Sequence, residues 1–153
     1  MGKMTSTGVQ VAVVSGAPAT VDQAGFEAVG TYTNCGELID LPEYGPTVQV
    51  VESNPLATGV TEKYNGFINY GSTSFGFEID FTDAGQNILE AAVPVPPAQY
   101  TPHSVRVTYP DGTIEYYVVG VFSYTRSVGS ANSMIGSTVQ VEINSKIVRV
   151  SAP

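Results

Sequence analysis

Charge is what this 153-residue chain has least of. Asp, Glu, Lys and Arg make up 13% of it, about half of the ~25% usual for soluble domains. Ordinary solvated surface is therefore scarce. Either the monomer has an apolar exterior or other chains cover much of it, and we favour cover by other chains. Positive charge is the scarcer sign: six Lys and Arg stand against 14 Asp and Glu, a net charge of −8. Too few cations remain for condensed binding to nucleic acid, which depends on Lys and Arg displacing counterions from phosphate. The same acidic surplus suits a wall along which DNA moves without sticking, and it also serves plain solubility.

Cys35 is the only cysteine, which excludes an intrachain disulfide and a secreted disulfide framework. Residues 1–16 lack the apolar run of a signal peptide, and no stretch approaches the length of a membrane span. The expectation is a soluble protein made in the cytosol, with no membrane partner.

Catalytic motifs are equally sparse. His103 is the only histidine; no nucleophile can be placed beside it, and it reads as a solvated strand-edge residue. No Gly-x-Ser-x-Gly elbow occurs, and nothing cationic near Cys35 would lower its pKa. Gly71 and Gly76 have the spacing of a phosphate-binding loop, but Phe77-Glu78 follows where Lys-Ser/Thr is required. Glu78, Asp80 and Asp83 are acidic neighbours without the Asp ladder of a calcium loop, and read as a solvated face. Tyr116, Tyr117 and Tyr124 lack the basic neighbours of a nucleic-acid platform and read as sheet aromatics. These residues give no catalytic, cofactor or metal site.

What the chain does have is strand pattern. From Ser104, Val105, Val107 and Tyr109 alternate with Arg106 and Thr108, the period of a half-buried strand. Pro110-Asp111-Gly112 supplies turn chemistry, and residues 114–122 are β-branched or aromatic almost throughout, as in a strand covered on both faces. This hairpin is the centre of the predicted domain. Val9–Val13 reads as a first strand, ended by Gly16-Ala17-Pro18. Thr20 and Gln23 have capping-box spacing for a short helical turn, which Gly25 curtails; residues 26–33 are weakly strand-like, and 36–41 extended. Phe75, Phe77, Ile79 and Phe81 alternate with Ser74, Gly76, Glu78 and Asp80. Asp83 and Gln86 then box the start of a short helix with Ile88, Leu89 and Ala92 as its stripe, stopped by Pro94, Pro96 and Pro97. Residues 127–137 form a loop and 138–143 a strand. Residues 146–150 are either its hairpin partner or its bulged continuation.

Leu41–Val60 is the exception. Pro42, Gly45, Pro46, Pro55 and Gly59 argue against regular central sheet, while Val48, Val50, Val51 and Leu56 make the middle apolar. It is either an edge hairpin on its own sheet or an arm that orders against a neighbouring subunit. The predicted fold is mainly β, one domain over 1–153: a β-sandwich or squat barrel with one short flanking α-helix and this long inter-strand arm.

The order of motifs resembles the tail tube (major tail) proteins of long-tailed, siphovirus-type bacteriophages. Asn54-Pro55-Leu56-Ala57-Thr58 is followed by Lys63-Tyr64-Asn65-Gly66 and Tyr70-Gly71-Ser72. Asp83-Ala84-Gly85-Gln86, Tyr109-Pro110-Asp111-Gly112-Thr113 and Thr138–Ile143 come after them. The likeness spans Val9 to Val150; the Pro94–Pro97 insert departs from it, as does the absence of an appended immunoglobulin-like domain. It implies a structural virion protein, not an enzyme and without cofactors. Such subunits assemble as stacked hexameric rings into a tail tube through which DNA passes during ejection. Its partners would be itself and the tape measure, terminator and distal tail proteins; its place would be the virion tail, after synthesis in the host bacterial cytoplasm. The resemblance makes Pro46, Val48, Val50, Val51, Asn54, Pro55 and Leu56 an inter-subunit arm. Glu78, Asp80, Glu115 and Glu142, expected on outward strand faces, are candidates for the lumen, and Pro110, Asp111 and Gly112 form a structural turn. The alternative is a monomeric β-sandwich module binding carbohydrate through exposed tyrosines; an acid–base hydrolase using paired carboxylates has no motif behind it.

Overall fold

A computed structural model describes residues 2–96 and 98–152; Pro97, one of the expected helix stops, lies outside them. The chain is mainly β. Strands β1 (Gln10–Ser15), β2 (Thr33–Cys35), β3 (Leu38–Asp40), β6 (Ser72–Glu78), β7 (Pro102–Thr108), β8 (Ile114–Ser127), β9 (Gly136–Ile143) and β10 (Val148–Val150) form one antiparallel sheet. Strands β4 (Thr47–Ser53) and β5 (Glu62–Asn69) form a second, two-stranded one.

The large sheet runs β2-β1-β7-β8-β9-β6-β3, with β10 beside β8. Its order hangs on the 14-residue β8. Residues 114–120 pair with β7, and 119–127 pair on the opposite edge with β9. A register shift between Val121 and Ser123 bends the strand, as an extra residue does. The sheet folds over there, and Val11, Val13, Val105 and Val107 of one half join Phe75, Phe77, Val139 and Val141 of the other in a single core. This gives the two layers of the expected sandwich from one continuous sheet. The squat barrel is not realised: β2 and β3 are linked by Gly36-Glu37, yet no ladder closes the sheet between them.

Two helices are described, one more than expected. In α2 (Ala84–Ala91), the Asp83 carboxylate accepts from Gln86 N at 3.0 Å and so caps the first turn, satisfying an otherwise orphaned donor. Leu89 and Ala92 bury its apolar stripe. The second helix, α1 (Gln23–Ala28), replaces part of the strand expected at 26–33. Its cap is Asp22 rather than Thr20, whose hydroxyl instead donates to Asp22 Oδ1 at 3.0 Å. Gly25 lies inside this helix, where an added Cβ would meet the Thr20 carbonyl oxygen at 1.9 Å. Phe26 is fully buried, its ring stacked on Tyr116 at 5.3 Å; that contact with an outer face of β8, remote in sequence, outweighs the local strand pattern.

Strand β10 is the bulged continuation of β9 rather than its hairpin partner. Both lie on one edge of β8, and the extra residues are held by Asn144 N donating to the Val118 carbonyl (2.8 Å) and Val118 N to Ser145 Oγ (2.9 Å). His103 is buried on the central strand β7, between Val119 and Ser15, and is not a solvated edge residue. One nonlocal polar element escaped the sequence reading: Gln86 is buried, donates to the Gly36 and Glu78 carbonyls and accepts from Asp80 N. It fastens α2 to β6 and to the β2–β3 link.

The β7–β8 turn forms as its residues dictate. Tyr109 N donates to Thr113 O, Gly112 N to Tyr109 O and Thr113 N to Asp111 Oδ1, at 2.8–2.9 Å. Gly112 has φ +92°, a region that costs a β-branched residue roughly 1–2 kcal/mol or more. Gly112→Val is therefore expected to lower the thermal midpoint by several degrees, roughly 2–4 °C per kcal/mol at this size. An unchanged midpoint by circular dichroism would refute the strain.

Candidate functional site

The surfaces that stand out are for assembly, and each follows from the sheet. Beyond the fold line, β8, β9, β6 and β3 make a four-strand half-sheet. Its inner face is the core, and alternation sends Ser72, Ser74, Gly76 and Glu78 of β6 outward with Thr138, Gln140 and Glu142 of β9. Asp40 of β3 shares this face, its Cβ lying 3.1 Å from where a Gly76 Cβ would stand. Three carboxylates, Asp40, Glu78 and Glu142, thus stand among small polar residues, and among the described residues no Lys or Arg accompanies them on this face.

Glu78 and Glu142 lie on the outward face expected of them. Asp80 and Glu115 do not. Asp80 follows the end of β6 and accepts from Thr82 Oγ1 (2.6 Å) and then Thr82 N (2.9 Å), which hold its carboxyl below the usual range. Glu115 shares the inner side of β8 with Tyr117 and opposes Val107. It was missed as an inward residue because alternation alone does not say which face of a doubly covered strand is which. Asp40 was missed because the irregular β3–β6 register sets its face.

The same half-sheet has two open edges. Past Gly120, residues Phe122–Ser127 of β8 have β9 on one side and, among the described residues, no backbone partner on the other. At the far side, β3 pairs, among the described residues, only with β6. Open edges of this kind are templates for pairing with another chain.

The arm is longer and more regular than expected. Strands β4 and β5 pair from Thr47↔Asn69 to Ser53↔Glu62, with Pro46 just before and Pro55 in the tip. The prolines flank the ladder instead of breaking it. Among the described residues no ladder joins this hairpin to the large sheet, and every residue of β4 is exposed. Leu56 at the tip is 100% exposed, and Val48, Val50 and Val51 along β4 are exposed as well. The arm is thus an ordered hairpin within the single chain, and among the described residues neither of its strands pairs with the large sheet.

Where the arm leaves the body, a cleft of about 990 Å³ is lined by Leu41, Tyr44, Ile68, Tyr70, Tyr109 and Glu115, among others. The Tyr44 and Tyr109 hydroxyls each donate to Glu115 Oε1 at 2.5 Å and touch one another. Tyr117 lies behind them, wholly buried, its ring 5.2 Å from that of Tyr44. Burial, then the Glu115 carboxylate, pushes Tyr109 up to about 12; burial raises Tyr44 and Tyr117 as well. Burial likewise raises Tyr32, to about 12, and the Cys35 thiol, to about 12, which leaves Cys35 protonated and unreactive near neutrality. With Tyr116 and Tyr117 buried and Tyr124 half-buried, the tyrosine platform of a carbohydrate module is not formed from these three.

No protein-family model matches the sequence, and no curated protein matches it. Solved structures do match the fold. A chain from the tail of an empty gene transfer agent particle, determined with C6 symmetry, superposes with a TM-score of 0.62 at 14% identity, covering 97% of this chain and 100% of that one. A chain of the six-fold symmetrised anti-feeding prophage baseplate gives 0.68 at 9% identity, over 99% and 97%. The sheath/tube terminator structure of an extracellular contractile injection system gives 0.66 at 8%, over 97% of each chain. The chain thus shares its fold with chains of tail, baseplate and sheath/tube terminator assemblies. Contractile machines are among these matches, so the fold does not select a siphovirus-type tail.

Tyrosine titration checks the cleft. A raised folded pKa leaves stability intact below the unfolded value near 10 and removes it as pH climbs through the folded value. Among the nine tyrosines, Tyr32 and Tyr109 are expected to ionise near pH 12, and Tyr44 and Tyr117 only on unfolding. Ultraviolet titration showing all nine ionising together near pH 10 in folded protein would contradict the packing.

Proposed function

We propose that this chain is the subunit of a hollow tail tube, built as stacked hexameric rings through which DNA passes on ejection. The observation that carries the proposal is the half-sheet β8-β9-β6-β3, which, among the described residues, has two open edges and an acidic outer face without Lys or Arg. If Phe122–Ser127 of one copy pair with Leu38–Asp40 of the next, the edges vanish and the half-sheets continue from subunit to subunit. Curvature then closes a ring, and six copies fit the C6 and six-fold symmetry of assemblies with related chains. Asp40, Glu78 and Glu142 would line the lumen. Their repulsion of phosphate keeps passing DNA from binding the wall.

The arm supplies contact beyond the ring. Val48, Val50, Val51 and Leu56, with Pro46, Asn54 and Pro55, would bury against a neighbouring subunit or ring. Each fully covered Val or Leu contributes about 1.5–3 kcal/mol. Scarce surface charge follows from the same reading, because copies cover one another. Tape measure, terminator and distal tail proteins are the partners expected inside the tube and at its ends, in a virion tail made in a bacterial host.

Deleting Val48–Leu56 is expected to leave a folded subunit, since no ladder ties the arm to the body, while abolishing stacking. Size-exclusion chromatography and negative-stain microscopy of concentrated protein read the result. Unchanged polymers from the deletion variant would show that the arm is not an assembly element.

A further inference from the structure

Strand β6 separates two exposed, uncharged and apolar surfaces. At its start stands the root of the arm, where Gly71 lies against Gly45. The arm's tip, residues 53–61, contains no Asp, Glu, Lys or Arg and carries the fully exposed Leu56. At the other end of β6, seven residues and about 20 Å away, lies the loop 128–135. It too contains no charged residue, and it exposes Val128, Met134 (72%) and Ile135. Ile79 N donates to Ile135 O at 2.9 Å, which holds this loop beside the β6–α2 turn and its exposed Phe81. The carboxylates of that turn are occupied locally: Asp80 by Thr82, and Asp83 by Gly36 N and Gln86 N.

On a chain carrying −8, most pairings of one copy with another bring carboxylates together. Joining the arm tip to the 128–135 loop does not. The loop and the root of the arm lie at opposite ends of β6, and Leu56 at the tip is fully exposed, so the tip does not cover the loop within one molecule; their union between copies is a heterologous contact, which propagates as an open stack where its rotation does not close a ring. Resting on the tube reading above, we infer that the arm tip of one subunit docks on loop 128–135 of the next copy along the tube axis. Leu56 sits there against Met134 and Ile135, beside Phe81. The receiver is thus a surface at the α2 end of the fold, and not the tyrosine-lined cleft at the arm's own root.

Disulfide trapping tests this in the full chain, whose one native thiol, Cys35, is buried. A variant carrying both Leu56→Cys and Met134→Cys, concentrated and mildly oxidised, is expected to give a ladder of covalent multimers on a denaturing gel. An equal mixture of the two single variants should stop at dimers, and wild type should give neither. Ile135→Cys in place of Met134→Cys should also give the ladder. Tubes by microscopy with no ladder from either pair would overturn the docking surface and leave the tube reading standing. So would a ladder from Leu56→Cys with Ile39→Cys, a residue of the arm-root cleft. A ladder in the absence of rings would support the docking and count against ring closure. Monomer at every concentration, without cross-links, would overturn both.

Discussion

Every backbone N–H and C=O of a sheet needs a partner, and in this fold that demand falls most heavily on β8. Its first half has β7 on one edge and β10 on the other; its second half has β9 alone. The change of partner at the Val121/Ser123 shift folds the sheet over and encloses the core. It also leaves Phe122–Ser127 with one unfilled side. The same feature that makes the monomer's core thus makes the monomer incomplete.

The scarcity of charge has its place in this arrangement. Exposed edge strands are usually guarded by charged side chains, prolines or bulges. Here Leu38–Asp40 and Phe122–Ser127 carry only Asp40 and Arg126, and Arg126 is drawn aside into an ion pair with Glu90 of α2. The hairpin arm is likewise left with valines in water. Surfaces so unguarded are consistent with being covered by copies of the chain. Of the carboxylates that the half-sheet does keep, Glu78 and Glu142 lie on its outer face away from the edges and the arm, and Asp40, on the β3 edge, shares that face.

Much of this was legible in the residues. The Ser104–Tyr124 hairpin, the Asp83 cap and the alternation from Ser74 are local patterns, and local patterns decide them. The apolar arm was visible too, though not its full extent: pairing with Glu62–Asn69 made a ladder, bulged between Val48 and Val50, of a stretch whose prolines lie just outside it. What escaped was set at long range. Phe26 entered a helix because its ring meets Tyr116, Gln86 was buried to satisfy the carbonyls of Gly36 and Glu78, and His103 was enclosed by strands on both sides. The lumen candidates divided for the same reason. Glu78 and Glu142 kept the faces that alternation gives them, Glu115 lay on the inner side of a strand covered on both, and Asp80 fell past the end of β6; Asp40, not among those candidates, was turned outward by an irregular register.

Amide exchange across the two open edges tests the central claim most directly. In dilute protein the outward-facing amides of Phe122–Ser127 and Leu38–Asp40 should exchange freely while those of β7 stay protected. On concentration both edges should become protected together, as each fills the other. Edges that remain unprotected in the polymer, or that are already protected in a dilute monomer, would contradict the account.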